Sequence, residues 1–153
     1  MRGELVQGSQ EWLEMRRTKI GGSDAPIILG LSPWKTPYQL MKEKRSLESS
    51  PITPQMEKGM RYEESARRCF ELSTGLIMFP TVLFDKEKPW MMASLDGMTL
   101  EKDKAVEIKV PGKHTHSCVV EGKCPEVYFP QLQHQMKVSV LGEIFFYSYL
   151  LNK

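Results

Sequence analysis

The run Trp90-Met-Met-Ala-Ser-Leu-Asp96-Gly-Met98, followed after a polar stretch by Ala105-Val-Glu107-Ile-Lys109-Val-Pro111, decides how the rest of the chain is read. Both halves alternate apolar and polar residues, and Glu101-Lys-Asp-Lys104 between them supplies a turn, so the pair predicts a β-hairpin. Side chains alternate across a strand: Val106, Ile108 and Val110 share one face, while Ala105, Glu107 and Lys109 share the other. Asp96 can lie opposite Glu107. Two carboxylates and an ammonium then meet on one face of an otherwise apolar hairpin. Burying such charges is costly unless they are paired or bind a metal. Two readings stay open: a solvated face carrying a Glu/Lys pair, and an acid pair that holds a cation.

Upstream, Gln55 to Thr74 has helical spacing. Met56, Met60, Glu63, Ala66 and Phe70 fall at steps of three and four, on one stripe. Glu63 therefore faces the core, either paired with Arg67 at the i+4 position or as a third acid of the hairpin's site. Gly75 ends this helix. Leu76 to Phe84 reads as a strand interrupted by Pro80, which points to an edge strand or an irregular one.

The N-terminal third is read as short helices. Ser9 caps a first helix that ends in Arg16-Arg17-Thr-Lys19, and Ile20-Gly-Gly-Ser23-Asp24 follows, with Ser23 or Asp24 capping a helix from Ala25 to Leu29. A glycine turn leading into a helix start beside paired arginines predicts an anion site; the alternative is a helical corner with solvated arginines. Thr36 caps a third helix with Pro37 at its first position, and Ser46 to Pro54 is a loop.

Beyond the hairpin, Pro111 to Lys123 is polar, and its His114, His116 and Cys118 are expected in a surface loop rather than at a metal. Pro125 or Glu126 begins a last helix reaching Leu141, in which Tyr128, Gln131 and Gln135 form one polar seam. Ile144 to Leu151 is nearly all apolar and is expected to be a buried central strand.

The totals fit one soluble domain of 153 residues, 41% hydrophobic and 26% charged, with enough length for a core of its own. A net charge of +2 permits nucleic acid as a partner without requiring it. Cys69, Cys118 and Cys124 form no CxxC pair, which argues against a disulfide framework or a zinc cage and for a reducing compartment. No apolar run approaches the roughly 20 residues of a membrane span, and the N-terminus lacks the apolar stretch of a signal peptide. The expected location is the cytoplasm, that of the host cell for a phage-encoded protein.

Five segments occur in an order that resembles the PD-(D/E)xK nuclease superfamily, more narrowly its lambda-exonuclease branch of YqaJ-like phage and viral recombination exonucleases. They are Trp12-Leu-Glu-Met-Arg16 with Ile20-Gly-Gly-Ser23-Asp24, Gly59-Met-Arg-Tyr-Glu63-Glu-Ser-Ala-Arg67 with Phe70, Ala93-Ser94-Leu-Asp96-Gly97, Val106-Glu107-Ile108-Lys109-Val-Pro111, and Tyr128-Phe-Pro-Gln131-Leu-Gln133. The resemblance spans about Trp12 to Leu150. It implies an α/β (α+β) fold with a restriction-endonuclease-like core, a central mixed β-sheet flanked by helices, over a single nuclease domain at 1–153. It departs from the superfamily pattern at Leu95, where a proline usually precedes the first acid.

Carried over by position, the resemblance implies a magnesium site formed by Asp96, Glu107 and the Ile108 main-chain carbonyl, with Glu63 completing it or holding a second ion. Manganese would be able to substitute. Magnesium favours hard oxygen ligands and keeps several waters. Lys109 would orient or deprotonate the attacking water, and Gln131 would position that water or the scissile phosphate. Arg16, Ser23 and Ser94 would form a pocket for a terminal 5′-phosphate, with Tyr128 also on the DNA side. The implied activity is 5′→3′ exonuclease digestion of double-stranded DNA from its ends, in recombination with a single-strand annealing protein. The lambda enzyme is a ring-shaped homo-trimer, but lambda-type enzymes continue past Tyr147-Ser-Tyr-Leu-Leu151 whereas this chain stops at Lys153. Two other readings remain: a structure-selective or nicking endonuclease on the same core, and an inactive DNA-binding module. Intact Asp96, Glu107 and Lys109 argue against the second.

Overall fold

The computed structural model describes residues 5–46 and 51–151. Four residues of the loop read at Ser46–Pro54, 47–50, lie outside the described residues, as does the start of the N-terminus at 1–4. Six helices and four strands follow in the order α1 (Gln10–Thr18), α2 (Ala25–Ile28), α3 (Pro37–Arg45), α4 (Pro54–Thr74), β1 (Phe79–Phe84), β2 (Met92–Met98), β3 (Ala105–Lys109), α5 (Lys113–Val120), α6 (Phe129–Ser139) and β4 (Phe145–Ser148). The sheet is mixed, as the resemblance implied. Its order is β1-β2-β3-β4, antiparallel through β3 and parallel between β3 and β4.

Local chemistry sets most of the element ends. Ser9 and Thr36 accept the backbone N–H groups of Trp12 and Gln39, Pro37 sits at the start of α3, and Gly75 closes α4 with a left-handed φ of 73°. β1 carries Pro80 on the edge of the sheet, with a register shift between Phe79 and Thr81.

The core lies on both faces of β3, so the solvated-face reading of the hairpin is overturned. Val106 and Ile108 pack with Ala66 and Phe70 of α4 and with Met78. Phe70 adds ring contacts to Phe145 and Tyr147 at 5.4 and 5.3 Å. Ala105 joins Ala93, Leu95, Met98 and Val138 of α6, and Glu107, in step with Ala105, is turned toward α6. Gly97 is required where the strands are tightest: a Cβ there would come within 2.6 Å of the Met78 side chain and 2.9 Å of Val106.

Four expectations are corrected. The polar stretch after Pro111 contains helix α5 rather than only loop. β4 is the last strand in the order, not a central one, and Phe145 on it is exposed. Helix α6 stops at Ser139, because Val140 turns left-handed at φ 58° and breaks the ladder before Leu141. On α4 only the second half of the apolar stripe is covered: Met56 and Met60 are exposed, whereas Ala66 and Phe70 are buried. No helix among the described residues is long and apolar enough to cross a membrane.

Candidate active site

The β2–β3 ladder is short, pairing Gly97 with Val106 and Met98 with Ala105. Toward the next position the strands part, and the Asp96 carboxylate enters the fork: its Oδ2 accepts the Ile108 N–H at 2.7 Å. Asp96 thus takes the place of a main-chain acceptor. From the far side Arg67 of α4 donates to the Asp96 main-chain oxygen at 3.0 Å, so the guanidinium read as a partner for Glu63 is engaged elsewhere. Burial, followed by the charge of Glu107 and then by the neighbouring Glu63 carboxyl, pushes Asp96 well above the usual carboxylate range, against the weaker pull of the Ile108 N–H.

Glu107 is buried at 4% exposure and fully engaged. Gln131 Nε2 donates to its Oε1 at 2.9 Å and Gln135 Nε2 to its Oε2 at 2.8 Å. Lys109 Nζ lies 2.7 Å from Oε1 and also donates to Gln131 Oε1 at 3.1 Å. The two glutamines come from successive turns of α6, which is why they appear as one polar seam. Burial lowers the Lys109 pKa, but the charge and hydrogen bond of Glu107, with Asp96 behind, outweigh it and hold the ammonium above its ordinary value. Tyr128 stacks against this ammonium, its ring centre 4.9 Å from Nζ. It therefore sits beside the acid cluster.

That corner is built from α1 and the glycine turn. Arg16 donates to Ser23 Oγ at 3.1 Å and lies 4.7 Å from the centre of the Trp12 ring, and Trp12 Nε1 donates to Ser94 Oγ at 2.9 Å. Arg16, Ser23 and Ser94 are thereby brought together, with Trp12 as the link. The helix-start reading holds only in part: Gly22–Asp24 is a 3₁₀ turn, α2 has four residues, and Asp24 stands at its N-cap position without a side-chain bond to it. Asp24 instead accepts the Gly21 N–H at 2.8 Å and pairs with Lys44. Gly22 lets the turn approach α6, where a Cβ would meet Gln135 Cγ at 3.1 Å.

A single cleft of about 190 Å³ joins the two groups, lined by Arg16, Ser23 and Ser94 at one end and by Asp96, Glu107 and Gln131 at the other. Sequence reasoning missed two of its residues. Gln7 anchors the N-terminal segment by donating to the Leu95 oxygen at 2.8 Å; nothing in its neighbourhood marked it. Gln135 was visible on the seam, but its clamp on Glu107 was not; its own Oε1 is buried without a partner among the described residues.

Among the described residues no three His, Cys, Asp or Glu side chains are already arranged as a metal cage. The donor set nevertheless fits a hard divalent cation. Burial, and after it the neighbouring Glu107 and Glu63 carboxyls, drive Asp96 toward its neutral form. A cation would relieve that repulsion with oxygen ligands of the required kind. The residues that would hold it are Asp96, Glu107 and Glu63. For Ile108 the structure shows the N–H, not the carbonyl, tied to the acids.

A family model described as the YqaJ-like viral recombinase domain matches residues 11–141. The chain is 31% identical over 134 residues to the uncharacterized protein YqaJ of Bacillus subtilis, covering 84% of this chain and 41% of that protein. It is 22% identical over 159 residues to protein D345L of African swine fever virus (isolate Tick/South Africa/Pretoriuskop Pr4/1996), covering 87% and 46%. The chain thus spans less than half the length of these relatives. Among solved structures it resembles an alkaline exonuclease, LHK-Exo, from Laribacter hongkongensis. The TM-score is 0.77 at 25% identity, over 93% of this chain and 74% of the other. The same enzyme in complex with dAMP gives a TM-score of 0.78 at 24% identity, over 92% and 74%.

Proposed function

The chain belongs to the YqaJ-like viral recombinase domain family, and from that premise we propose that it is a magnesium-dependent deoxyribonuclease that digests duplex DNA 5′→3′ from phosphorylated ends. One observation carries the reading: a single cleft has an arginine–serine corner suited to an anion at one end and an acid–lysine–glutamine cluster suited to phosphodiester hydrolysis at the other. Arg16 and Ser23 would hold the terminal phosphate by charge-assisted hydrogen bonds, with Ser94 and Trp12 setting the wall beside them. A bound divalent ion supplies a Lewis acid and an acidified water.

The chain's own contribution is orientation. Gln131, Gln135 and Lys109 fix both oxygens of Glu107, so this carboxylate has little freedom to lose when it takes up its role. Lys109, kept as an ammonium, is suited to orienting the attacking water and to neutralising charge on the phosphate. Gln131 links the lysine to the acid and stands beside the reacting phosphate. Manganese is expected to replace magnesium. Acting in the cytoplasm, such an enzyme would leave single strands of the kind that an annealing protein takes up in recombination.

Digestion of end-labelled linear duplexes with and without 5′-phosphate, beside a closed circular duplex and a chelator control, tests the reading. Release of nucleotides from phosphorylated ends, abolished by chelator, is the expected result. Equal cutting of the closed circle would instead make the protein an endonuclease and remove the role given to Arg16 and Ser23.

A further inference from the structure

The phosphate corner does not hold itself together. Arg16 and Ser23 meet through one hydrogen bond, Ser23 is exposed, and the two lie on different elements, α1 and the 3₁₀ turn. What ties those elements to each other comes from α3. Lys44 Nζ lies 2.7 Å from Asp24 Oδ2, 2.7 Å from the Arg16 main-chain oxygen and 2.9 Å from that of Lys19. The same Asp24 oxygen accepts the Gly21 N–H. One ammonium therefore grips the main chain of the arginine and, through a 3% exposed carboxylate, the turn that carries the serine.

We propose that Lys44 is the positioning residue of the anion corner, setting Arg16 and Ser23 for a terminal phosphate of DNA that it does not itself touch. Two physical reasons support the assignment. The first is geometric: the three bonds of Lys44 leave the last turn of α1 and the glycine turn little freedom to slide past each other, and small misplacements are costly in a binding geometry. The second is electrostatic. The C-terminal end of α1 carries the negative end of its dipole, equivalent to roughly half a charge, and Asp24 adds a full negative charge close by. Both would repel an arriving phosphate, and Lys44 stands against both, leaving Arg16 as the cation that the phosphate meets.

The inference rests on the end-recognition reading, and its test separates the two. Rates are measured on a duplex with 5′-phosphate ends and on the same duplex with 5′-hydroxyl ends, for the wild-type protein, Lys44→Met, Asp24→Asn and the double variant, each checked for folding by thermal melting. The wild type is expected to prefer the phosphorylated duplex. Lys44→Met is expected to lower that preference on the order of tenfold, and Asp24→Asn, which frees the turn but also removes a repelling charge, to lower it less, both while digesting the hydroxyl-ended duplex at close to the wild-type rate. The double variant is expected to do no worse than Lys44→Met alone, because the two side chains act as one unit. Lys44→Gln, which keeps a donor, replaces Lys44→Met if the latter does not fold. A folded Lys44 variant that keeps the full preference overturns the assignment and leaves the corner intact. A wild type indifferent to the phosphate removes the corner itself, and with it the role of Lys44.

Discussion

At the acid end of the cleft Glu107 is 4% exposed and its carboxylate receives three donors from two elements of regular structure, whereas at the other end an exposed Ser23 on a 3₁₀ turn meets Arg16 through one bond of 3.1 Å. The first region stands on β3 and α6, packed on both sides, and is assembled before any substrate arrives. The second is a corner between short helices whose geometry depends on a lysine from a third. Under the proposed function, such a division would separate what must be rigid, the groups set to act on a phosphodiester, from what would have only to receive an end. Precision of that kind is more readily supplied by helices and strands than by turns.

Lys109→Ala attacks the rigid region most directly. Turnover is expected to fall by 10²- to 10⁴-fold, the usual range for a group acting on the attacking water, while DNA binding measured by gel shift stays near wild type. Near-normal turnover would break the comparison by showing that the acid end works without its lysine. Gln135→Met is expected to cost about 10- to 100-fold, in digestion and in manganese affinity measured by calorimetry, since it frees one oxygen of a proposed ligand. An unchanged manganese affinity would reduce Gln135 to a core residue. Arg16→Ala should act on the other region alone. It is expected to lose roughly ten- to a hundredfold of preference for 5′-phosphate, from ~1.5–3 kcal/mol for a hydrogen bond to a charged group, with little change on hydroxyl ends.

The smallest effect is expected where α6 is fastened to the β1–β2 turn. Asp85 accepts the N–H groups of Lys88 and Glu87 and the ammonium of Lys137 at 3.1 Å. The Lys88 bond first, and then that of Lys137, hold its carboxyl below the usual range. A group depressed in the folded state stabilises above its ordinary pKa and loses that contribution as pH falls through the folded value. Asp85→Asn is therefore expected to melt earlier than wild type at neutral pH, with the gap closing in acid. A gap constant with pH would show that the aspartate charge is not what fastens α6.

Much of the acid end was legible because its signals are local. The alternation of Ala105 to Lys109 and the step from Asp96 to Glu107 placed the hairpin, and the spacing of Glu63, Ala66 and Phe70 turned Glu63 toward it. The anion corner was legible only as a set of residues. A cap at Ser23 or Asp24 is readable from the local sequence, but the pairing of Asp24 with Lys44 is not, because a long-range ion pair leaves no periodicity. Helix α5 escaped because Thr115, His114 and His116 are weak helix formers, and His116 is held instead by Ser148 of β4 at 2.8 Å. The apolar run at the end of the chain read as central because composition records burial, not order in a sheet.

The two hydrogen bonds that clip Ile20 to the strand region, Ile20 N to the Trp90 oxygen and Met92 N to the Ile20 oxygen, carry a consequence for the order of assembly. Asp96 and Ile108 are only 12 residues apart, so the fork closes a small loop, whereas Trp12 and Ser94 are 82 apart and close a large one. Contacts between distant segments form late and open early when held by few bonds. In thermal fluctuation the segment carrying Trp12 is expected to peel away first, leaving a molecule whose acids remain in register but whose proposed anion corner has come apart.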